Sequence, residues 1–175
     1  MKTKSNLPAT MAVFFFTTFS LVGIAAVGST GWASVGHKDA DENLAGHPGD
    51  SKKVSRTVRL VASEIKFNFK QLTFKTGETV RFVLVNKGEQ DHELTIGDSE
   101  TQQEHRKVML EIASMPNADM SRMPPHEHVA ESAIAVKPGE TKELVWQFTK
   151  AGSFEFACNF PGHAEVGMAG TITVR

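Results

Sequence analysis

Cysteine is almost missing from this chain of 175 residues, and so is any excess of charge. The single cysteine, Cys158, excludes an internal disulfide bridge. The formal net charge is -1, so the chain has no basic surface of the kind that binds nucleic acid or an anionic membrane. With 40% hydrophobic residues, it has room for one ordinary domain and little more. Its partners must therefore be inferred from a specific site.

The N-terminus has the composition of an export signal. Lys2 and Lys4 precede an apolar run over about residues 9–28, and Gly31 and Ala33 provide the small residues of a signal-peptidase site. We expect residues 1–33 to be a signal peptide, cleaved near Ala33, with the folded part in the periplasm. The run is also long enough to span a bilayer, so an uncleaved anchor is the alternative. We expect no other contact with a membrane.

Residues 34–53 are polar, rich in glycine and aspartate, and show no apolar periodicity. This composition predicts a flexible lead-in before the folded domain. His37 and His47 lie in it. Solvated side chains are the simpler interpretation of these two histidines, and weak copper binding is the alternative.

Short alternating apolar runs bounded by turn residues predict strands in most of the remaining chain. Roughly seven or eight short strands in one small domain are typical of an antiparallel β-sandwich, here over residues 54–175. The runs lie at residues 57–61, 65–69, 79–85, 141–148, 154–158 and 171–174, with a further strand near Ala133. Residues 99–115 interrupt this pattern, because Val108, Met109 and Ile112 recur there at helical spacing and predict one helical insert.

A thiol, an imidazole and a thioether follow one another at five-residue steps near the C-terminus, in Cys158, His163 and Met168. Thiolate and thioether ligands select copper over hard cations. One Cys, two His and a weak axial Met form a type 1 copper site, so this loop provides three of the four ligands. Zinc is the rival metal, but its structural sites are closed sets of Cys and His, which Met168 does not fit.

The second histidine ligand must come from elsewhere in the chain. His92 is the best source, because it opens an apolar alternating run directly after a turn, and such a strand end can lie beside the Cys158 loop. His105, His126 and His128, in or near the helical insert, are the competitors.

Residues 54–175, with this Cys, Pro-Gly-His and Gly-Met pattern and an upstream His, resemble the cupredoxins. The spacing from Cys158 through His163 to Met168 is similar to that of rusticyanin. The resemblance implies a Greek-key β-sandwich that holds one copper ion, cycling between Cu(I) and Cu(II), through His92, Cys158, His163 and Met168. Many cupredoxins have Asn after the upstream His, whereas Glu93 follows it here.

The whole layout most resembles the periplasmic cupredoxins of bacterial copper tolerance, which leaves two functions open. The first is electron transfer with a redox partner protein, and the second is copper tolerance, in which the protein binds, sequesters or oxidises excess periplasmic copper beside other copper-handling proteins. The insert favours the second, because a minimal electron carrier does not need it. We expect a monomer and no enzyme, since copper enzymes of related design use a second cysteine or further domains.

Methionines and histidines cluster in and after the insert, where they have two interpretations. Thioethers and imidazoles suit copper in either oxidation state, so the cluster can form an extra copper site. In the simpler interpretation, some of these residues fill gaps in the core under the helix and the others cover a loop. The cluster comprises Met109, Met115, Met120, Met123, His126 and His128.

Overall fold

The computed structural model describes residues 45–117 and 131–175, which all belong to one compact unit. The predicted signal peptide and the sites at His37, Met120, Met123, His126 and His128 lie outside the described residues. The described residues form β1 (Gly46–Pro48), a short 3₁₀ helix (Ser51–Lys53), β2 (Arg56–Ser63), β3 (Lys66–Phe67), β4 (Gln71–Phe74), β5 (Thr79–Asn86), β6 (His92–Gly97), α1 (Ser99–Ala113), β7 (Ala133–Val136), β8 (Thr141–Phe148), β9 (Gly152–Ala157) and β10 (Ala169–Val174).

The ten strands of the described region form two five-stranded sheets. The first has the order β1-β8-β5-β2-β3, and the second has the order β4-β10-β9-β6-β7. Aromatic rings join the two sheets, since the Phe67 and Phe156 ring centroids lie 5.7 Å apart, as do those of Phe74 and Phe82. The predicted β-sandwich with one helical insert is therefore confirmed.

Two strand pairs, β2 with β5 and β4 with β10, are parallel, whereas the sequence predicts antiparallel pairing. Parallel neighbours arise where the connection between two strands crosses from one sheet to the other, so that the next strand enters beside one running in its own direction.

Alternating burial places one face of β8 in the core. Along β8, Leu144, Trp146 and Phe148 are buried and the residues between them are not. β6 is buried along its whole length, because α1 covers its second face. This covered strand begins with His92.

The predicted strand over residues 65–69 is wrong in extent, because only Lys66–Phe67 pair with β2. The Asn68 side chain accepts a hydrogen bond from the Val61 N–H at 2.8 Å and donates to the Arg59 carbonyl at 3.2 Å. These bonds occupy the edge of β2 on which a longer strand would pair. The chain then crosses to the second sheet as β4.

Residues 45–53 do not form the flexible lead-in that their composition predicts. Ala45 is fully buried, and Gly46–Pro48 pair with β8 as an edge strand. A Cβ atom at Gly46 would lie 1.8 Å from the Gln147 carbonyl oxygen, so only glycine permits this approach. His47 is an exposed residue of this strand.

The predicted helix is present as α1 and ends at Ala113. The Asp98 carboxylate accepts the Thr101 N–H at 2.8 Å and caps its first turn. Met109 and Ile112 are buried in the core, which confirms packing for Met109, whereas Met115 is 54% exposed. No helix among the described residues is long and apolar enough to cross a membrane.

Candidate metal centre

The ends of three neighbouring strands bring predicted ligands together at one end of the second sheet. β9 runs antiparallel to both β6 and β10. The start of β6 carries His92, the end of β9 leads into Cys158, and Met168 directly precedes β10. These residues are distant in sequence and adjacent in space because of this pairing.

The structure places His92, Cys158 and His163 in one buried cluster, with their ligand atoms within 4.8 Å of one another. The Cys158 Sγ lies 3.9 Å from His92 Nδ1 and 3.3 Å from His163 Nδ1. The two imidazole rings are 5.2 Å apart and inclined at 49°. His105, a competitor for the second ligand position, lies outside this cluster and contacts Glu93.

Burial gives both imidazoles the protonation state that metal binding requires. Burial, together with the neighbouring His163, lowers the pKa of His92 to about 4. Burial also lowers the pKa of His163, although the charges of Glu165 and Glu93 oppose this shift. Both rings are therefore neutral near pH 7 and each has a lone pair to donate.

The Cys158 thiol is shielded from solvent and, without a cation, is protonated. Burial raises its pKa well above the usual range, and the Glu93 charge raises it further, against hydrogen bonds from the backbone of Glu93 and Phe160. A bound metal cation reverses this preference, since a coordinating thiol is deprotonated.

Met168 lies at the base of the same loop and is fully buried. Its carbonyl oxygen accepts the Cys158 N–H at 3.0 Å, and its N–H donates to the His163 carbonyl at 2.9 Å. Gly167, with φ of +98°, provides the left-handed turn before it. The Lys70 ammonium donates to the Gly167 carbonyl at 2.5 Å and holds this turn from outside. The role of Met168 as fourth ligand stays a prediction.

Gln90 orients His163. Its side-chain carbonyl oxygen lies 3.0 Å from His163 Nε2 and accepts that N–H, which directs the Nδ1 lone pair toward Cys158. Sequence analysis did not identify Gln90. Its place in the turn just before His92 is the signal that indicates it, because that turn faces the ligand loop.

The donor set fits copper. A thiol sulfur and two imidazole nitrogens converge in a buried site, which is the trigonal Cys-His₂ arrangement of type 1 copper, and a buried methionine closes the same loop. When bound, copper provides one-electron redox chemistry at this position. The protein residues hold the donors in place, exclude water and keep the imidazoles neutral.

A polar network unpredicted from the sequence lies behind Cys158. The Glu93 carboxylate is buried there and accepts the Asn159 N–H at 2.8 Å and the Thr95 hydroxyl at 3.1 Å. Side chains of α1 complete the network: Gln102, His105 and Arg106. Their spacing on one helix face was the available signal, since it places three polar residues toward the sheet.

Comparison with known proteins agrees with this geometry. Residues 54–175 match the model of a protein family that is described as copper binding proteins, plastocyanin/azurin family. The chain is similar to the copper-resistant cuproprotein CopI of Rubrivivax gelatinosus, with 40% identity over 89% of this chain and 95% of that protein. It is also similar to the copper-resistant cuproprotein CopI of Pseudomonas aeruginosa, with 37% identity over 85% and 90% of the two chains.

Solved structures confirm the fold. A structure of auracyanin B matches with a TM-score of 0.57 and 23% identity, over 76% of this chain and 96% of that one. An azurin from Methylomonas sp. strain J matches with a TM-score of 0.53 and 15% identity, over 70% and 99%. The chain therefore belongs to the plastocyanin/azurin family of copper-binding proteins.

Proposed function

We propose that this chain is an exported copper protein that contributes to copper tolerance, and that the ion in its buried centre changes between Cu(I) and Cu(II). The convergence of Cys158 with His92 and His163 is the observation that carries the redox part. Two relatives named copper-resistant cuproproteins, aligned over most of this chain, support the role in tolerance. The export signal that the sequence predicts over residues 1–33 supports a periplasmic location.

The site is suited to electron transfer because its donors are held by rigid strands. His92 is part of β6, and Cys158 directly follows β9. Backbone hydrogen bonds join Met168 to both Cys158 and His163. Ligands held this firmly move little when the charge of the ion changes, which keeps the barrier to electron transfer low.

Transfer of electrons to a protein partner is the second candidate function, and the surface beside His163 favours it. His163 is 7% exposed, whereas His92 and Cys158 are fully buried, so His163 lies nearest to the solvent. Pro161 is exposed on the same loop, and Val166 is 67% exposed. Exposed apolar side chains beside the ligand nearest to the solvent are a suitable place for a transient protein partner to dock. Binding copper and transferring electrons to a partner are not catalysis, so we also propose that the protein is not an enzyme.

Growth of a strain without this protein tests the role in tolerance. We expect that strain to be inhibited at lower copper concentrations than its parent. The wild-type gene and a Glu104→Gln variant, changed at an exposed position of α1, should both restore growth. A Cys158→Ser variant should fail. Equal copper tolerance with and without the protein, combined with slower respiration in its absence, would contradict the tolerance role and favour the electron carrier.

A further inference from the structure

We propose that Glu93 is a positioning residue through which helix α1 fixes the sulfur ligand of the copper site. Glu93 follows one predicted ligand, His92, and its backbone contacts another, Cys158. Its side chain is 5% exposed. The inference rests on copper binding at this site and is independent of the physiological role proposed above.

Glu93 contacts the Cys158 segment with both its backbone and its side chain. Its N–H donates to Cys158 Sγ at 3.4 Å, and its carboxylate accepts the Asn159 N–H at 2.8 Å. The two bonds fix the sulfur and the next backbone amide relative to β6. A hydrogen bond to a cysteine sulfur withdraws electron density from it, so its geometry influences the metal–sulfur bond.

Helix α1 holds the Glu93 carboxylate from the other side. His105 Nε2 lies 3.1 Å from Glu93 Oε1 and 3.3 Å from Oε2. A carboxylate only accepts, so the imidazole donates its Nε2 proton. The Thr95 hydroxyl donates to Oε1 at 3.1 Å. Three donors therefore fix one carboxylate, and hydrogen bonds to charged acceptors are among the stronger ones in proteins.

Two further α1 side chains hold the residue after the cysteine. The Gln102 side chain accepts a hydrogen bond from the Asn159 side-chain amide at 2.8 Å and donates to the Thr95 backbone carbonyl at 3.0 Å. Arg106 donates to the Asn159 side-chain carbonyl at 3.2 Å. The helix thus contacts the Cys158 segment through Asn159 and through Glu93, which explains why its inner face carries polar side chains.

The buried carboxylate also places a negative charge beside the copper position. Negative charge stabilises Cu(II) relative to Cu(I), and its effect is large where water is excluded. Glu93→Gln retains the size of the side chain and the backbone N–H to Cys158 while removing this charge. We expect the reduction potential to rise, with at least about a tenfold change in the preference of the protein for Cu(I) over Cu(II).

Loss of the helix contact should change the geometry of the site while the Glu93 side chain itself is retained. We expect His105→Ala to shift the thiolate-to-copper absorption and the copper hyperfine splitting. His105→Gln should restore most of both values, because its amide can donate to the carboxylate. Glu104→Gln removes a charge at the adjacent exposed position and should leave the spectrum and the potential unchanged.

A measurement on the metal-free protein tests the same contacts independently of copper. The Asn159 backbone amide hydrogen is bound by the Glu93 carboxylate. Its exchange with solvent should therefore be faster in His105→Ala and Glu93→Gln, which weaken this bond, than in Glu104→Gln. Spectra, potentials and Asn159 exchange that match the wild type in the folded His105→Ala variant would overturn the proposal. Absence of the thiolate band in the wild-type protein would instead contradict the copper site itself.

Discussion

At the scale of single residues, the position after His92 shows how one substitution changes the support of the site. Many cupredoxins have an amide there, and this chain has Glu93. The carboxylate still joins the two ligand segments, because it accepts the backbone N–H of Asn159. It also requires donors around it, which Thr95 and His105 provide. The amide is thus replaced by a charged acceptor with its own set of donors.

The axial position makes a prediction at the same scale. Met168→Leu should retain one copper ion per chain, because the thiolate and both imidazoles are unchanged, and should raise the reduction potential by at least about 60 mV, a tenfold change for one electron. Loss of the thioether removes a donor that stabilises Cu(II). Voltammetry of the two proteins side by side measures this shift. An unchanged potential would show that Met168 packs near the site without coordinating.

Sequence analysis identified the residues of the cluster but not their supports. The donor chemistry of Cys158, His163 and Met168 is readable from their spacing, and His92 from its place at a strand start. Gln90 and His105 were not identified as supporting residues, because their roles depend on contacts across 73 and 12 residues of sequence that only the folded chain creates. A polar residue on a helix face gives no sign of its partner until that partner's position is known.

At the scale of elements, α1 is both a cover for β6 and a clamp on the ligand loop. Met109 and Ile112 anchor it in the core, and Gln102, His105 and Arg106 reach the Glu93 and Asn159 region. The apolar periodicity predicted the helix correctly. The same periodicity could not show that its polar residues face inward as well.

The N-terminal cap of α1 provides a prediction about this element. Asp98→Ala removes the acceptor for the Thr101 N–H and should lower the free energy of unfolding by about 1 kcal/mol. Urea unfolding of the metal-free protein measures the change, with Glu104→Ala on the exposed face of the helix as the control. An equal stability for both variants would mean that the cap contributes nothing.

Edge strands were the least predictable elements. Residues 65–69 alternate as a strand should, yet Asn68 ends the pairing after Lys66–Phe67. Residues 46–48 have the composition of a linker, yet they pair with β8 because Gly46 permits close approach. Local patterns predict strands that have a buried face, whereas edge pairing depends on the neighbouring strand.

At the scale of the whole molecule, an aromatic cluster and the candidate copper site lie at opposite ends of the strands. The metal-binding end lies where Ala157 pairs with Ala169, and the other end lies where Gly152 pairs with Val174. These pairs are separated by five residues, or roughly 17 Å of extended chain. The far end contains a cluster of aromatic rings, in which Phe74 and Phe148 stack at 4.5 Å.

This separation makes a further prediction. Phe148→Ala should lower the free energy of unfolding by about 3–5 kcal/mol, because it leaves a cavity in the aromatic cluster. The copper spectrum of the folded fraction should not change. Phe69→Ala, the same change at a residue that is 38% exposed, is the matched control and should cost much less. A shifted copper spectrum in Phe148→Ala alone would show that the two ends are coupled.

Copper titration of the metal-free protein, followed by visible absorption and by the copper content per chain, tests the central claim most directly. Our account predicts an intense thiolate-to-copper band that grows until one equivalent is bound, and no such band in Cys158→Ser. Copper bound beyond one equivalent should add nothing to it. A wild-type protein that binds copper without this band would contradict the assignment of Cys158, His92 and His163 as its copper site.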